Sequence, residues 1–183
     1  SRTALEFVKN EVLTNLERLE AKEWDVARHL ILRCGELGLL GTDTPDEYGG
    51  LSLDKASSLV VAEALGTGGS FAVTFGAMTG LGIMPLLMFG TEAQKQKYLT
   101  KLVSGEMVGA YGLSESGAGS DALGARTRAS VEPDGSFRLN GEKMWISNCS
   151  FADVFIVFAK VNGEQFSAFI VERGFPGVST GRE

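Results

Sequence analysis

The chain has one histidine, two cysteines and four prolines in 183 residues. Each scarcity excludes something. His29 falls in a helical pattern and reads as an ordinary helix residue, which argues against a Ser-His-Asp triad and against a zinc site. Cys34 and Cys149 lie far apart, in no metal-ligand spacing, and read as two reduced thiols. Positive charge is in deficit: 17 Lys and Arg against 23 Asp and Glu leave a net charge of −6, which lends no support to nucleic-acid binding. No uninterrupted apolar run reaches membrane-spanning length, and the N-terminus shows no signal peptide and no transit peptide. Internal repeats and low-complexity linkers are absent as well. What is present is the composition of a soluble globular protein, 44% hydrophobic and 22% charged, long enough for one ordinary domain or two small ones.

The first part of the chain has helical period. Leu5, Val8, Val12, Leu16 and Leu19 predict a first amphipathic helix. Trp24, Ala27, Leu30, Ile31, Cys34 and Leu37 predict a second, ended near Gly38 or Gly41. A turn-rich loop, Thr42 to Gly50, follows. Ser52 or Asp54 then caps a third helix through Leu65, stopped by Gly66-Thr67-Gly68-Gly69. Ser70 to Gly90 is almost uncharged but interrupted by Gly76, Gly80, Gly82 and Pro85, so it reads as two buried helical pieces. Its methionines read as core, with the lining of a pocket for an apolar chain as the alternative. Thr91 and Gln94 fit a capping box that opens a helix to about Val103, closed by Gly105.

The period then changes. Met107, Val108, Ala110, Tyr111 and Leu113 are strand-like, and Arg126, Arg128 and Ser130 alternate with small or apolar neighbours. Glu132-Pro133-Asp134-Gly135 is a turn, Asn140-Gly141 a hairpin joint, and Asn162-Gly163 a turn between a buried strand at 154–158 and another at 166–170. The expected class is therefore α+β: an N-terminal α-helical domain over residues 1–105, then an antiparallel β domain over 106–183 of roughly six short strands. The chain stops at Ser179-Thr180-Gly181-Arg182-Glu183 with no terminal helix or closing strand, as a piece of a longer polypeptide would.

Two stretches carry the candidate chemistry. Tyr111-Gly-Leu-Ser-Glu-Ser-Gly-Ala-Gly-Ser-Asp121 leads from a strand into a loop of small residues. Glycine there lets backbone N–H groups approach a ligand, and the seryl hydroxyls both donate and accept, which suits a flat, phosphate-bearing ligand. In Gly141-Glu-Lys-Met-Trp-Ile-Ser-Asn148, Trp145 and Ser147 are two apart and would share one side of a strand. The run Gly117-Ala118-Gly119-Ser120-Asp121-Ala122 imitates a dinucleotide fingerprint, but it opens no helix, and Glu142 follows a turn instead of ending a parallel strand. A Rossmann fold is rejected on that context.

At these residues the sequence resembles the acyl-CoA dehydrogenase family. The matching motifs are Tyr111 to Asp121, Asn140 to Asn148, Pro45-Asp-Glu-Tyr-Gly-Gly50, and Phe89 to Glu106, and the resemblance covers essentially the whole chain. Phe151 to Lys160 together with Val171-Glu-Arg-Gly-Phe175 looks most like the very-long-chain branch. The resemblance implies an N-terminal helical domain and a β domain, with a further four-helix domain that this sequence does not contain. It implies FAD as cofactor and α,β-dehydrogenation of an acyl-CoA thioester to the trans-2-enoyl-CoA, as in fatty acid β-oxidation. A glutamate would take the α-proton, hydride would pass to flavin N5, and an electron-transfer flavoprotein would accept the electrons. It also implies a homodimer or homotetramer, in the bacterial cytoplasm or, as the alternative, the mitochondrial matrix. An acyl-CoA oxidase or flavin monooxygenase of the same fold, and a non-catalytic acyl-CoA-binding relative, are the competing readings.

Matched position by position, the resemblance assigns cofactor contacts to Tyr111, Gly112, Leu113, Ser114, Gly119, Ser120, Trp145, Ile146 and Ser147. Ser114 would hydrogen-bond the isoalloxazine, Ser120 would also meet the CoA portion of the substrate, Trp145 would pack on the flavin face, and Ser147 would bond near N5. No metal is implied. None of Glu106, Glu115, Glu142 or Glu172 matches the family's catalytic base, so this segment is expected to hold no catalytic residue. Two departures stand out. Ser116 occupies a position where the family usually has proline, and Cys149 follows Asn148 where glycine or alanine is common, so any positive φ there falls to Asn148.

Overall fold

The structure is a computed structural model and describes residues 2–181. The first predicted helix forms but is not uniform. α1 (Arg2–Phe7) runs into a π-helical stretch at Val8–Val12, a 3-10 turn at Leu13–Asn15, and α2 (Leu16–Glu20). The apolar positions still face inward: Ala4, Phe7, Val8, Val12 and Leu19 are buried. α3 (Trp24–Glu36) ends where Gly38 takes φ 70°, and α4 (Lys55–Leu65) is capped by Asp54, whose carboxylate accepts from the Ser57 amide. Ser52 does not cap it; its hydroxyl accepts from the Asp46 amide instead. α7 (Glu92–Val103) has both halves of the Thr91–Gln94 capping box.

Ser70 to Gly90 corrects two expectations. Phe71–Phe89 is one helix of 19 residues, and by length and composition alone it is apolar enough to span a membrane, with a mean hydropathy of 1.7. It is built of α5 (Phe71–Gly76), a π-helical segment (Ala77–Ile83) and α6 (Met84–Phe89). The glycines do not break it, and Gly82 is where the helix meets the sheet. A Cβ on Gly82 would lie 3.2 Å from the Gly109 Cα, and one on Gly109 would lie 3.0 Å from the Gly82 Cα. Helix and strand backbones touch there, and Met78 Sδ accepts from the Gly109 amide at 3.2 Å.

Among the described residues the sheet has five strands: β1 (Gly109–Gly112), β2 (Arg128–Val131), β3 (Phe137–Asn140), β4 (Val154–Val161) and β5 (Gln165–Glu172). It is mixed, not purely antiparallel. The hairpins β2–β3 and β4–β5 are antiparallel, as their turns require. β1 and β2, however, both pair with β4 in parallel, β1 against Val154–Val157 and β2 against Lys160 and Val161. Asn140-Gly141 joins no hairpin; β3 ends there and the chain leaves the sheet. One hydrophobic core runs from the helices into the sheet, through Phe71, Met78, Leu99, Leu102, Val108, Ala110, Val154 and Phe155.

The backbones of Gly82 and Gly109 meet at the first residue of β1, and a branched side chain has no room there. Gly109→Val is expected to cost about 1–3 kcal/mol through overpacking, read as a lower urea midpoint at unchanged slope.

Candidate functional site

Tyr111 and Gly112 lie in β1, and the chain then leaves the sheet. Glu115 and Ala118 exchange backbone hydrogen bonds at 3.0 and 3.1 Å, so Ser116 and Gly117 form a tight turn. A 3-10 turn at Ala122–Gly124 follows, not a helix, consistent with rejecting the dinucleotide fingerprint. Gly117 and Gly119 are exposed, and a Cβ on either would meet nothing within 4 Å.

The second stretch departs from expectation. Residues 141–148 form a loop outside the sheet, so Trp145 and Ser147 are not aligned by a strand. Trp145 takes φ 57° and is 80% exposed. Non-glycine residues adopt this left-handed region only where the surroundings over-determine it. Asn148 takes φ 66°, supplying the positive φ that Cys149 would otherwise need. Its amide donates to the Thr74 and Gly109 carbonyls at 3.2 and 3.3 Å, which ties the loop's end to both the long helix and β1. The turn after it is held by arginines: Arg173 donates to the carbonyls of Cys149 and Ala152, and Arg28 to that of Phe151 at 2.6 Å. Trp24 stacks on Phe151, with ring centroids 5.4 Å apart.

The two stretches meet around a cavity of about 220 Å³. Tyr111, Leu113 and Ser114 line it from one side, Trp145, Ile146 and Ser147 from another, and Ala77 and Leu81 from the long helix. Six of the nine residues assigned from the sequence are thus brought together. Gly112 lies buried beneath, while Gly119 and Ser120 are exposed farther along the loop and do not line it. Ala77 and Leu81 escaped the sequence reading; their signal was the glycine-punctuated apolar run, taken there for core. A second cavity of about 390 Å³ shares Ile146 and Ser147 and opens toward Leu19, Trp24, Phe71 and Phe151. The first cavity offers a flat indole, a phenol and two hydroxyls in an otherwise apolar surround, and among the described residues no carboxylate lines it. Such walls can hold a planar heterocycle and donate hydrogen bonds to it.

Behind this cavity sits a pair that the sequence reading did not find. Lys143 Nζ donates to Glu115 Oε1 at 2.7 Å and to the Leu113 carbonyl at 3.1 Å. The same carboxylate accepts from the amides of Arg126 and Thr127, at 2.6 and 3.0 Å, and from the Thr127 hydroxyl at 2.5 Å. Both side chains are 9% exposed. Burial pushes the Glu115 carboxyl up, but the Arg126 amide, the Lys143 ammonium and the Thr127 donors outweigh it and bring it down to about 2. Glu172 is held below the usual carboxylate range chiefly by Lys97, then by the Tyr98 hydroxyl.

Comparison with known proteins bears on this geometry. The model for the acyl-CoA dehydrogenase N-terminal domain matches residues 1–106, and that for the middle domain matches residues 110–183. The chain belongs to the acyl-CoA dehydrogenase family. A "Probable acyl-CoA dehydrogenase" of Bacillus subtilis is 50% identical over the whole chain, which covers 31% of that relative. The human very long-chain specific acyl-CoA dehydrogenase is 41% identical over 91% of the chain, covering 26% of it. A crystal structure of an acyl-CoA dehydrogenase complexed with FAD from Bacillus anthracis superposes with a TM-score of 0.97 at 54% identity, over 100% of this chain and 32% of that one. The chain thus spans between 26% and 32% of the length of these relatives.

The Glu115 carboxyl yields a sign-checked prediction. Its value in the folded protein is depressed from 4.5 to about 2, so its stabilisation is complete above about 4.5 and is lost as pH falls from there through about 2. Glu115→Gln is expected to melt well below the parent at pH 6, with the gap closing across that acid window. Thermal unfolding of both proteins at a series of pH values reads it, and subtracting the variant removes the other carboxylates.

Proposed function

We propose that this chain supplies the flavin- and substrate-facing walls of an FAD-dependent acyl-CoA dehydrogenase, which oxidises an acyl-CoA thioester to the trans-2-enoyl-CoA. The observation that carries the reading is the cavity between Tyr111, Leu113, Ser114 and Trp145, Ile146, Ser147. Its walls fit a flavin: one exposed indole of large flat area, and two hydroxyls free to donate. Bound FAD would supply the redox chemistry, accepting the hydride that leaves the substrate. The chain's own residues do the rest. Trp145 would pack against the ring system, Ser114 and Ser147 would hydrogen-bond its polar edge, and fixed donors there would favour the arrival of electron density. Gly112 lets the Lys143 stem lie close over β1, Gly119 leaves the exposed loop backbone open, and Ser120, on the same arm, would contact both the cofactor and the CoA portion of the substrate.

No residue of this chain is assigned as the base. Among the described residues no carboxylate lines the cavity, and Glu115 is committed as an ion-pair partner held far below the range a base needs. The proton-abstracting carboxylate is proposed to come from outside these residues. The electron acceptor is proposed to be an electron-transfer flavoprotein and the assembly a homodimer or homotetramer, both on the family resemblance. The bacterial cytoplasm is the proposed compartment, supported by the 50%-identical bacterial relative.

Purified protein mixed with FAD and desalted is expected to keep a visible flavin band. Trp145→Ala is expected to weaken FAD binding by about tenfold, the order of one lost aromatic contact with its area. Genuine turnover of acyl-CoA by these 183 residues alone would overturn the assignment of the base.

A further inference from the structure

The loop that carries Trp145, Ile146 and Ser147 is anchored at both ends, and between them Ile146 packs against the core and its carbonyl accepts from the Cys149 amide at 3.1 Å. At one end Asn148 bonds the Thr74 and Gly109 carbonyls. At the other, the Met144 amide donates to the Ser114 carbonyl at 2.9 Å, and Lys143 reaches Glu115 and the Leu113 carbonyl. The stem of Lys143 crosses directly over β1, where a Cβ on Gly112 would lie 3.3 Å from Lys143 Cγ. Leu113 and Ser114 form one wall of the cavity; Trp145 to Ser147 form the other. Glu115 is the residue after Ser114, and Lys143 stands two before Trp145. Neither side chain lines the cavity.

We propose that Glu115 and Lys143 are a positioning pair for the cofactor site: their buried contact fixes the Trp145–Ser147 wall against the Leu113–Ser114 wall. This rests on the FAD reading above for its functional part only. A left-handed Trp145 persists because both ends of its loop are pinned, and releasing one end lets it relax. A surface ion pair would not have this effect, since mobile partners in water fix little. This pair is buried, and its carboxylate also accepts from the Arg126 and Thr127 amides of a third segment, so Lys143 cannot shift without leaving a charge unpaired.

The test compares Lys143→Met with a core variant of matched thermal stability, Leu99→Ala or the milder Ile31→Val, whose sites lie outside the cavity. Hydrogen exchange at the Met144 amide reads the loop without any ligand, and the Kd for FAD reads the site. Lys143→Met is expected to raise both by about tenfold over the matched control, since a purely structural loss would move the two variants alike. Glu115→Asp keeps the charge but falls short by one methylene, and should raise both by about threefold; it decides the matter if Lys143→Met does not fold. Exchange and Kd equal to the control's would overturn the assignment. If the parent protein binds no FAD, faster exchange at Met144 would uphold the positioning pair and remove the flavin reading. Unchanged exchange would overturn the pair whatever FAD does.

Discussion

The interaction on which the site depends is a buried charge pair at the junction of three segments. Glu115 comes from the tight turn after β1, Lys143 from the loop after β3, and the Arg126 and Thr127 amides from the entry to β2. Burying two charges is costly unless each is fully partnered, and this carboxylate takes four donors on its two oxygens. Such a network tolerates little displacement, because any lost partner leaves a desolvated group behind. Three stretches with no regular backbone pairing between them are thereby given fixed relative positions.

The remaining anchors extend that arrangement outward. Asp153 links β4 to β1 by accepting from the Val108 amide at 2.8 Å, and Arg28 brings α3 onto the same carboxylate at 3.0 Å. The long helix touches β1 through two glycines, which carries Ala77 and Leu81 up to the cavity. Both of those residues lie in its π-helical segment, where hydrogen bonds span five residues instead of four. The cavity walls therefore come from helix, strand end and loop, and each is positioned by a different kind of contact: backbone packing, ladder hydrogen bonds and the ion pair.

This explains which features could be read in the sequence. The capping box at Thr91, the Asp54 cap, the end of α3 at Gly38 and the Asn162-Gly163 turn are local rules with local partners, and they appear as expected. The direction of strand pairing does not follow from alternation. β1 and β4 are separated by residues 113–153, and period-2 burial reads the same whichever way the partner runs. The glycines of the 71–89 helix were misjudged because their effect as breakers is local, whereas Gly82 answers a strand 27 positions away in sequence. Trp145 and Ser147 were found by motif but assigned the wrong geometry. Trp145 takes a positive φ in a loop between two anchored ends, a conformation that no periodicity encodes. The Glu115–Lys143 pair was invisible for the same reason: two ordinary charges 28 apart carry no spacing signal.

The pair also constrains the chemistry. A carboxylate held ionised by a lysine and two amides is a poor proton acceptor, although it is the acidic residue nearest in sequence to the Ser114 wall. The groups facing the cavity are neutral: a phenol, an indole, two hydroxyls and aliphatic side chains. In an apolar surround such groups orient a ligand and steady charge that develops on it, and they neither take nor give protons near neutral pH. The Tyr111 phenol is pushed further from that range by burial. Under the proposed FAD reading this is a division of labour: the surface built here would hold and polarise a redox-active ring, while the proposed proton abstraction would require a carboxylate of a different environment. An ionised Glu115 is then required for the geometry of the site and cannot also be its base, because accepting a proton would release Lys143 and the loop it holds.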